Sequence, residues 1–419
     1  MRSVIMTLAL AALPAWAATF TVDSMRQHYP WNGLVDVDYT VTYGQGESAL
    51  DPQVNRLEAM ASDLTASPVQ AVRMASFDVL PLPLAAGTHR VTWNAKADGL
   101  ASLSDNVKVE LVLVQVPSAP KYMVLDLSSG CLSARYPVTY LDAPPAGGFN
   151  TLEYKTEKMV FRLVPPGSFV MGAPESEPGR QGVNEKQHPV TLTKPFYLGL
   201  FEVTHGQLSR ISGQLENTNE HNAQNEAQPA SSLKPNIMRG GSAKTTAVPK
   251  SGTILDVLRT KTGLAFDLPT EAQWEYACRA GTTTPFNDGV PCADVASLTT
   301  RMANLGRTNA NVDDPRGVFT SPAGYSRARG AVVGSYAPNA WGFYDMHGNE
   351  CECVRDAYDT SLASKGLVVD PVSTTGSKIC GKGGAFSVAP ARARSAARSN
   401  WSADTQYADL GYRFALTLD

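Results

Sequence analysis

The run LVDVDYTVTYG, Leu34 to Gly44, confines the first part of this chain to one kind of structure. Val35, Val37, Tyr39, Val41 and Tyr43 alternate with Asp36, Asp38, Thr40 and Thr42. A period of two puts the apolar side chains on one face of an extended strand and the polar ones on the other, which no helix can do. GTHRVTWNA and NVKVELVLVQV repeat the texture, with Gly, Asp, Asn and Pro in the intervals. Residues 18–117 are therefore expected to form an all-β sandwich of immunoglobulin-like size. His28 and His89 lie in it as lone histidines, the pattern of surface or packing residues rather than ligands.

Upstream, MRSVIMTLALAALPAWAATF has an Arg, an apolar run and then Ala15-Trp16-Ala17. That is the layout of a secretory signal peptide over 1–17, so the mature chain is expected to begin near Ala18 and to be exported to the periplasm, cell surface or medium of a bacterial cell. No later apolar run reaches the roughly 18 residues a membrane helix needs, so the chain is not expected to span a bilayer. Lys+Arg 36 against Asp+Glu 39 gives a formal charge of -3, with no block of like charge to recruit nucleic acid or an anionic surface. Export also lets cysteines pair. The six, Cys131, Cys278, Cys292, Cys351, Cys353 and Cys380, all follow residue 130, and spacing leaves their connectivity open.

Residues 118–154 read as a connector: SAP and APPAGG bracket two short strand-like runs, a hairpin of its own. From 155 to 419 the texture is short strands, Gly-Pro turns and few helices. The clearest helix opens at LPTEAQWEYACRAG. Thr270 and Gln273 form a capping box, Glu271 meets the positive end of the dipole, and Gly281 is placed to close the helix. Trp274, Ala277 and Cys278 share a face, so Cys278 should point inward.

Seven segments in order carry a resemblance: FRLVPPGSFVMGAP (161–174), KPFYLGLFEVTHGQLSR (194–210), LPTEAQWEYACRAGTTTPF (268–286), PNAWGFYDMHGNECE (338–352), GKGGAF (381–386), ARSAARSN (393–400) and LGYRFAL (410–416). They resemble the sulfatase-modifying-factor family, whose founding member is the formylglycine-generating enzyme. The resemblance implies an α+β domain of C-type-lectin-like topology steadied by calcium over 155–419. In the founding enzyme, copper held by two cysteines activates oxygen and a sulfatase Cys becomes formylglycine; other branches include nonheme-iron enzymes and binding modules. Fold alone does not choose among them.

The resemblance places a calcium site on YDMHGNECECVRD, with side-chain oxygens from Asp345 and Glu352 and carbonyls from Gly348 and Glu350. This is the mixed hard-oxygen set that calcium tolerates, and a glycine aims a carbonyl inward. A first calcium site would open at Asn304 and Leu305, but Tyr325 stands where an Asp should follow. Cys351 and Cys353 replace two tryptophans of the relatives. On a strand their Cα atoms would lie roughly 6.5 Å apart, near the limit for a direct bridge. Pairing with Cys380 or Cys278, survival as buried thiols, and a soft Cu(I) or Zn(II) site remain open, although no His or third thiol sits at ligand spacing.

The copper thiols are the main departure. The first expected Cys falls on Val388, the loop is about three residues shorter than in relatives, and no Cys occurs from Gly381 onward. A family Cys near Ser395, which would bridge to the helix of Cys278, is also missing. Arg392, Arg394, Arg398 and Arg413 are expected as buried ion-pair partners. His205 and His347 belong to no catalytic or metal pattern and are expected to be structural. The expected protein is a monomeric binding module for a peptide, protein or glycan, with calcium but not copper; the alternatives are an oxidase or metalloenzyme with thiols relocated to Cys351 and Cys353, or a mere spacer domain.

Overall fold

The computed structural model describes residues 18–418, apart from 45–49, 51–54, 66–69, 79–81, 101–105, 116–118, 214–225, 241–247, 299–329, 360 and 362–366. The signal-peptide reading of 1–17, and Asn304, Leu305 and Tyr325, lie outside the described residues.

The first six strands are β1 (Ala18–Gln27), β2 (Leu34–Tyr43), β3 (Asn55–Asp63), β4 (Gln70–Arg73), β5 (Gly87–Asn94) and β6 (Val107–Gln115). They make two three-stranded sheets, β1-β2-β5 and β4-β3-β6, antiparallel throughout. Strand β2 keeps its period of two: Val35, Val37, Tyr39 and Val41 enter the core with Trp93, while Asp36, Asp38 and Thr40 face out. The outward acids bind across strands, Asp38 to Arg26 and Arg90, Asp36 to His28.

The hairpin read in the connector forms as β7 (Tyr122–Asp126) and β8 (Val138–Leu141). It does not stand apart. After helix α1 (Leu152–Thr156), strand β9 (Lys158–Val164) pairs with β7 residue by residue from Tyr122↔Arg162 to Asp126↔Lys158. Next come β10 (Gly167–Met171), β11 (His188–Leu192) and β12 (Phe196–Gly199), then α2 (His205–Ser212), α3 (Pro235–Arg239), α4 (Ile254–Thr262) and α5 (Glu271–Arg279). The chain ends in β13 (Cys351–Ala357), β14 (Val368–Val369), β15 (Ile379–Lys382), β16 (Ser399–Trp401), β17 (Leu410–Tyr412) and β18 (Ala415–Thr417). The sheets run β18-β12-β9-β7-β8, β16-β15-β13-β17 and β10-β11-β14, so the chain is α+β with short strands and an all-β beginning. Among the described residues no helix is long and apolar enough to cross a membrane.

Helix α5 starts as its sequence dictates: Gln273 N donates to Thr270 Oγ1 and Thr270 N to Gln273 Oε1. Trp274, Ala277 and Cys278 are fully buried. At its far end Ala280 takes the left-handed cap position at φ 47°, and Gly281 follows it at φ 94°. Asn339 pins that end from a distant loop, its Nδ2 donating to the carbonyls of Ala277 (2.8 Å) and Cys278 (3.2 Å) and satisfying acceptors the helix itself leaves open.

Candidate functional site

Strand β13 is an inner strand of its four-stranded sheet, antiparallel to β15 and parallel to β17. The loop that feeds it turns sharply, with Asp345 (φ 56°), Gly348 (φ 83°) and Asn349 (φ 65°) all left-handed, a conformation that is costly for residues other than glycine. Hydrogen bonds hold the loop there. Asp345 Oδ2 accepts from Gly334 N at 2.6 Å, Gly348 N donates to Gly383 O, and the Asn349 carbonyl takes Phe386 N.

The four expected ligand residues lie along this one loop and the start of β13, and all are buried. Asp345, Glu350 and Glu352 are at most 2% exposed. A further carboxylate that the sequence reading missed joins them: Glu202, from FEVTHGQ, accepts Glu350 N at 2.9 Å and Asn349 Nδ2 at 2.5 Å. A charged residue buried between Phe201 and Val203 in a run otherwise made for a core was the signal available. Burial, followed by the charges of Asp345 and Glu352, holds the Glu202 carboxyl well above the usual carboxylate range. Burial and Glu202 do the same to Glu350, whose Oε2 is buried with no hydrogen-bond partner among the described residues.

Glu352 departs from a simple ligand role. Arg413 grips it with Nε (2.9 Å to Oε2) and Nη2 (2.6 Å to Oε1), and Trp274 Nε1 donates to Oε2 at 2.7 Å. Among the described residues no three His, Cys, Asp or Glu side chains converge as a metal cluster, so a cation here would depend on backbone carbonyls as well as acids. In charge the residues fit calcium. Glu202, Asp345 and Glu352 act on the Arg413 guanidinium, Glu350 adds a further acid beside Glu202, and the Glu350 oxygen without a partner among the described residues marks surplus acid.

The structure contains no disulfide among the six cysteines, and of the readings left open Cys351 and Cys353 match that of buried thiols. Cys351 and Cys353 project into the same core cluster as Leu410 and Tyr412, whereas Cys380, on the neighbouring strand, lies in a different cluster with Cys278. Burial pushes the Cys351 thiol up to about 12 and raises Cys353 well above the ordinary thiol range, so both are protonated thiols in an apolar setting. Cys278, also pushed up to about 12, has its sulfur 3.7 Å from Ser395 Oγ, the position where the resemblance places a bridging cysteine.

His347 is structural: Nδ1 meets Ala393 O at 2.7 Å and Nε2 accepts Asn287 N at 3.1 Å, fixing a neutral ring. His205 is the first residue of α2, with its backbone N on Gln228 O. Arg394 binds Glu177 and Glu185, and Arg398 binds Glu271 through two nitrogens while lying 4.7 Å above the Tyr358 ring. Arg392 is exposed, contrary to expectation, because the 3-10 turn Pro390–Arg392 rotates it outward. Val388 is half-buried just before that turn, its N donating to Ala385 O at 3.3 Å. Beside it Ser387 Oγ donates to Asp409 Oδ2.

Comparison with known proteins follows the same segments. A profile of the sulfatase-modifying factor enzyme 1-like domain matches residues 148–418. A formylglycine-generating enzyme of Streptomyces coelicolor is 32% identical over 156 residues, 36% of this chain and 47% of that protein. One from Bos taurus is 30% identical over 152 residues, 35% of this chain and 38% of that one. The chain thus spans less than half the length of these curated relatives. Among solved structures it is similar to PvdO from Pseudomonas aeruginosa, with 26% identity and a TM-score of 0.46 over 62% of this chain and 94% of that one. With the match spanning most of the chain and its ordered motifs assembled around one buried loop, the protein belongs to the sulfatase-modifying-factor family, carrying a formylglycine-generating-enzyme-like domain behind an N-terminal β domain.

Proposed function

We propose that this is an exported binding protein of the family, which holds calcium but does not oxidise its ligand, a peptide, protein or glycan. The observation that carries the reading is Val388 at the position of the first copper thiol, followed by a tail without cysteine. Valine offers no ligand to Cu(I) and no electron path to oxygen. Calcium would be held by Asp345 and Glu352 side chains and the carbonyls of Gly348 and Glu350, where it would neutralise surplus acid and fix the loop. The test is oxygen consumption on peptides bearing the sulfatase cysteine motif, with copper supplied. The expected result is none above a protein-free control; turnover of the peptide overturns the reading.

A second reading is favoured by the curated relatives, which are named formylglycine-generating enzymes. It makes Cys351 and Cys353 a relocated metal-binding pair. Their burial and raised thiol pKa weigh against it, since thiolates are the ligands that soft metals select. Copper titration of the parent and of Cys351→Ser separates the two: equal copper binding removes this reading, and a lost equivalent supports it.

A further inference from the structure

Strand β3 is buried on both sides. Every residue from Leu57 to Asp63 is buried, whereas an outer sandwich strand ordinarily wets one face, as β2 does. Leu57, Ala59 and Ala61 belong to the sandwich core, so Glu58, Met60 and Ser62 point the other way. What covers this face is the later domain of the same chain. Met60 and Val112 form one apolar cluster with Leu367, Val170 and Val369.

Beside that cluster lies an ion group. Glu58, 3% exposed, accepts Arg56 Nε at 3.1 Å, Arg73 Nε at 2.7 Å and Arg73 Nη2 at 2.9 Å, and it also takes Ser168 N from β10. Arg56 Nη2 reaches across to Pro166 O at 2.8 Å. At the end of β6, Gln115 N donates to Thr193 O at 3.0 Å. Gly167, on the C-terminal side of this seam, leaves room for the Tyr276 hydroxyl, which a Cβ there would meet at 2.4 Å, with Arg56 Nη2 of the sandwich at 4.0 Å. Tyr276 is on α5, whose Trp274 donates to Glu352 and whose Glu275 binds the fully buried Lys382 at 2.9 Å.

We infer that the outer face of β4-β3-β6 is a permanent docking surface for β10 and β11, and that the N-terminal sandwich is a fixed positioning domain for α5 rather than a tethered adaptor. Inter-domain contacts within a chain are ordinarily polar and yielding. The Glu58–Arg56–Arg73 group lies wholly within the sandwich; what resists separation is that opening the contact breaks the bonds of Ser168 N to Glu58, Arg56 Nη2 to Pro166 O and Gln115 N to Thr193 O while exposing Met60 and Val112. Partners of the sandwich are thereby restricted to the β1-β2-β5 face.

Hydrogen exchange on the full-length protein tests this. In the parent, the Gln115 and Ser168 amides should exchange as slowly as those of α5, through global unfolding only. Glu58→Ala should speed Ser168 by about tenfold or more. Asp38→Ala, which breaks ion pairs on the opposite sheet, should leave both amides unchanged. Exchange of Gln115 and Ser168 in the parent roughly 100-fold faster than in α5 overturns the inference, and that measurement needs no variant to fold. Equal rates in Glu58→Ala and the parent also overturn it.

Discussion

At the scale of single residues, buried charge dominates this protein. The Arg413–Glu352 pair is fully buried on both sides. Removing one partner from such a pair strands the other, at a cost of roughly 3 to 5 kcal/mol. Arg413→Met should therefore unfold at markedly lower urea, and Arg413→Met with Glu352→Gln should recover part of the loss; equal midpoints for the single and double variants would contradict this. Asp356 adds a pH dependence. Its carboxylate accepts Glu271 N and Ser373 N, yet burial, followed by the charge of Glu271, raises it to about 7, with Arg398 pulling the other way. The native state then keeps a proton that the unfolded chain releases near 3.8. The associated stability is complete below that value and disappears as pH rises through about 7. Glu275, lowered to about 2 chiefly by Lys382 and Arg279 against the penalty of burial, works oppositely and loses its contribution as pH falls through that value. The thermal midpoint should fall from about pH 5 to about pH 8, and Asp356→Asn should flatten that decline even if it lowers the whole curve by losing an acceptor.

At the scale of elements, what could be read in advance was whatever one segment decides by itself. The alternation of β2 and the capping box of α5 depend on neighbours two or three residues away, and both appear as expected. Thr270→Ala should cost about 1 kcal/mol by freeing the Gln273 amide, measurable as a shift in denaturant midpoint, whereas Thr270→Ser should cost little. The features that escaped are those completed from far along the chain. The far end of α5 is finished by Asn339, and Glu202 becomes part of the loop site only through Asn349 and Glu350. The disposition of the cysteines was hidden for a related reason: strand geometry sends Cys351 and Cys353 to one face of their sheet while Cys380 enters another cluster, and no local spacing reveals that.

At the scale of the whole molecule, the family architecture was legible because its motifs are dense and ordered, while the role of the loop depends on charge gathered from three separate stretches: Glu202, then Asp345 to Glu352, then Arg413. Those stretches bring more buried carboxylate than Arg413 can neutralise, so the folded chain has two ways to settle: it binds protons, as the raised Glu202 and Glu350 imply, or it binds a cation. A cation that binds only the native state stabilises it by about 2.7 kcal/mol at one hundred times its dissociation constant. Calcium added to chelator-treated protein should therefore raise the thermal midpoint, and magnesium, with its stricter octahedral demand, should do so less. Asp345→Asn keeps an oxygen for Gly334 N but removes one charge, so it should shrink the calcium-dependent rise more than it changes the midpoint without calcium. If chelator and calcium give the same midpoint in the parent, protons alone balance the loop, and its left-handed turns are held by Gly334, Gly383 and Phe386 without an ion.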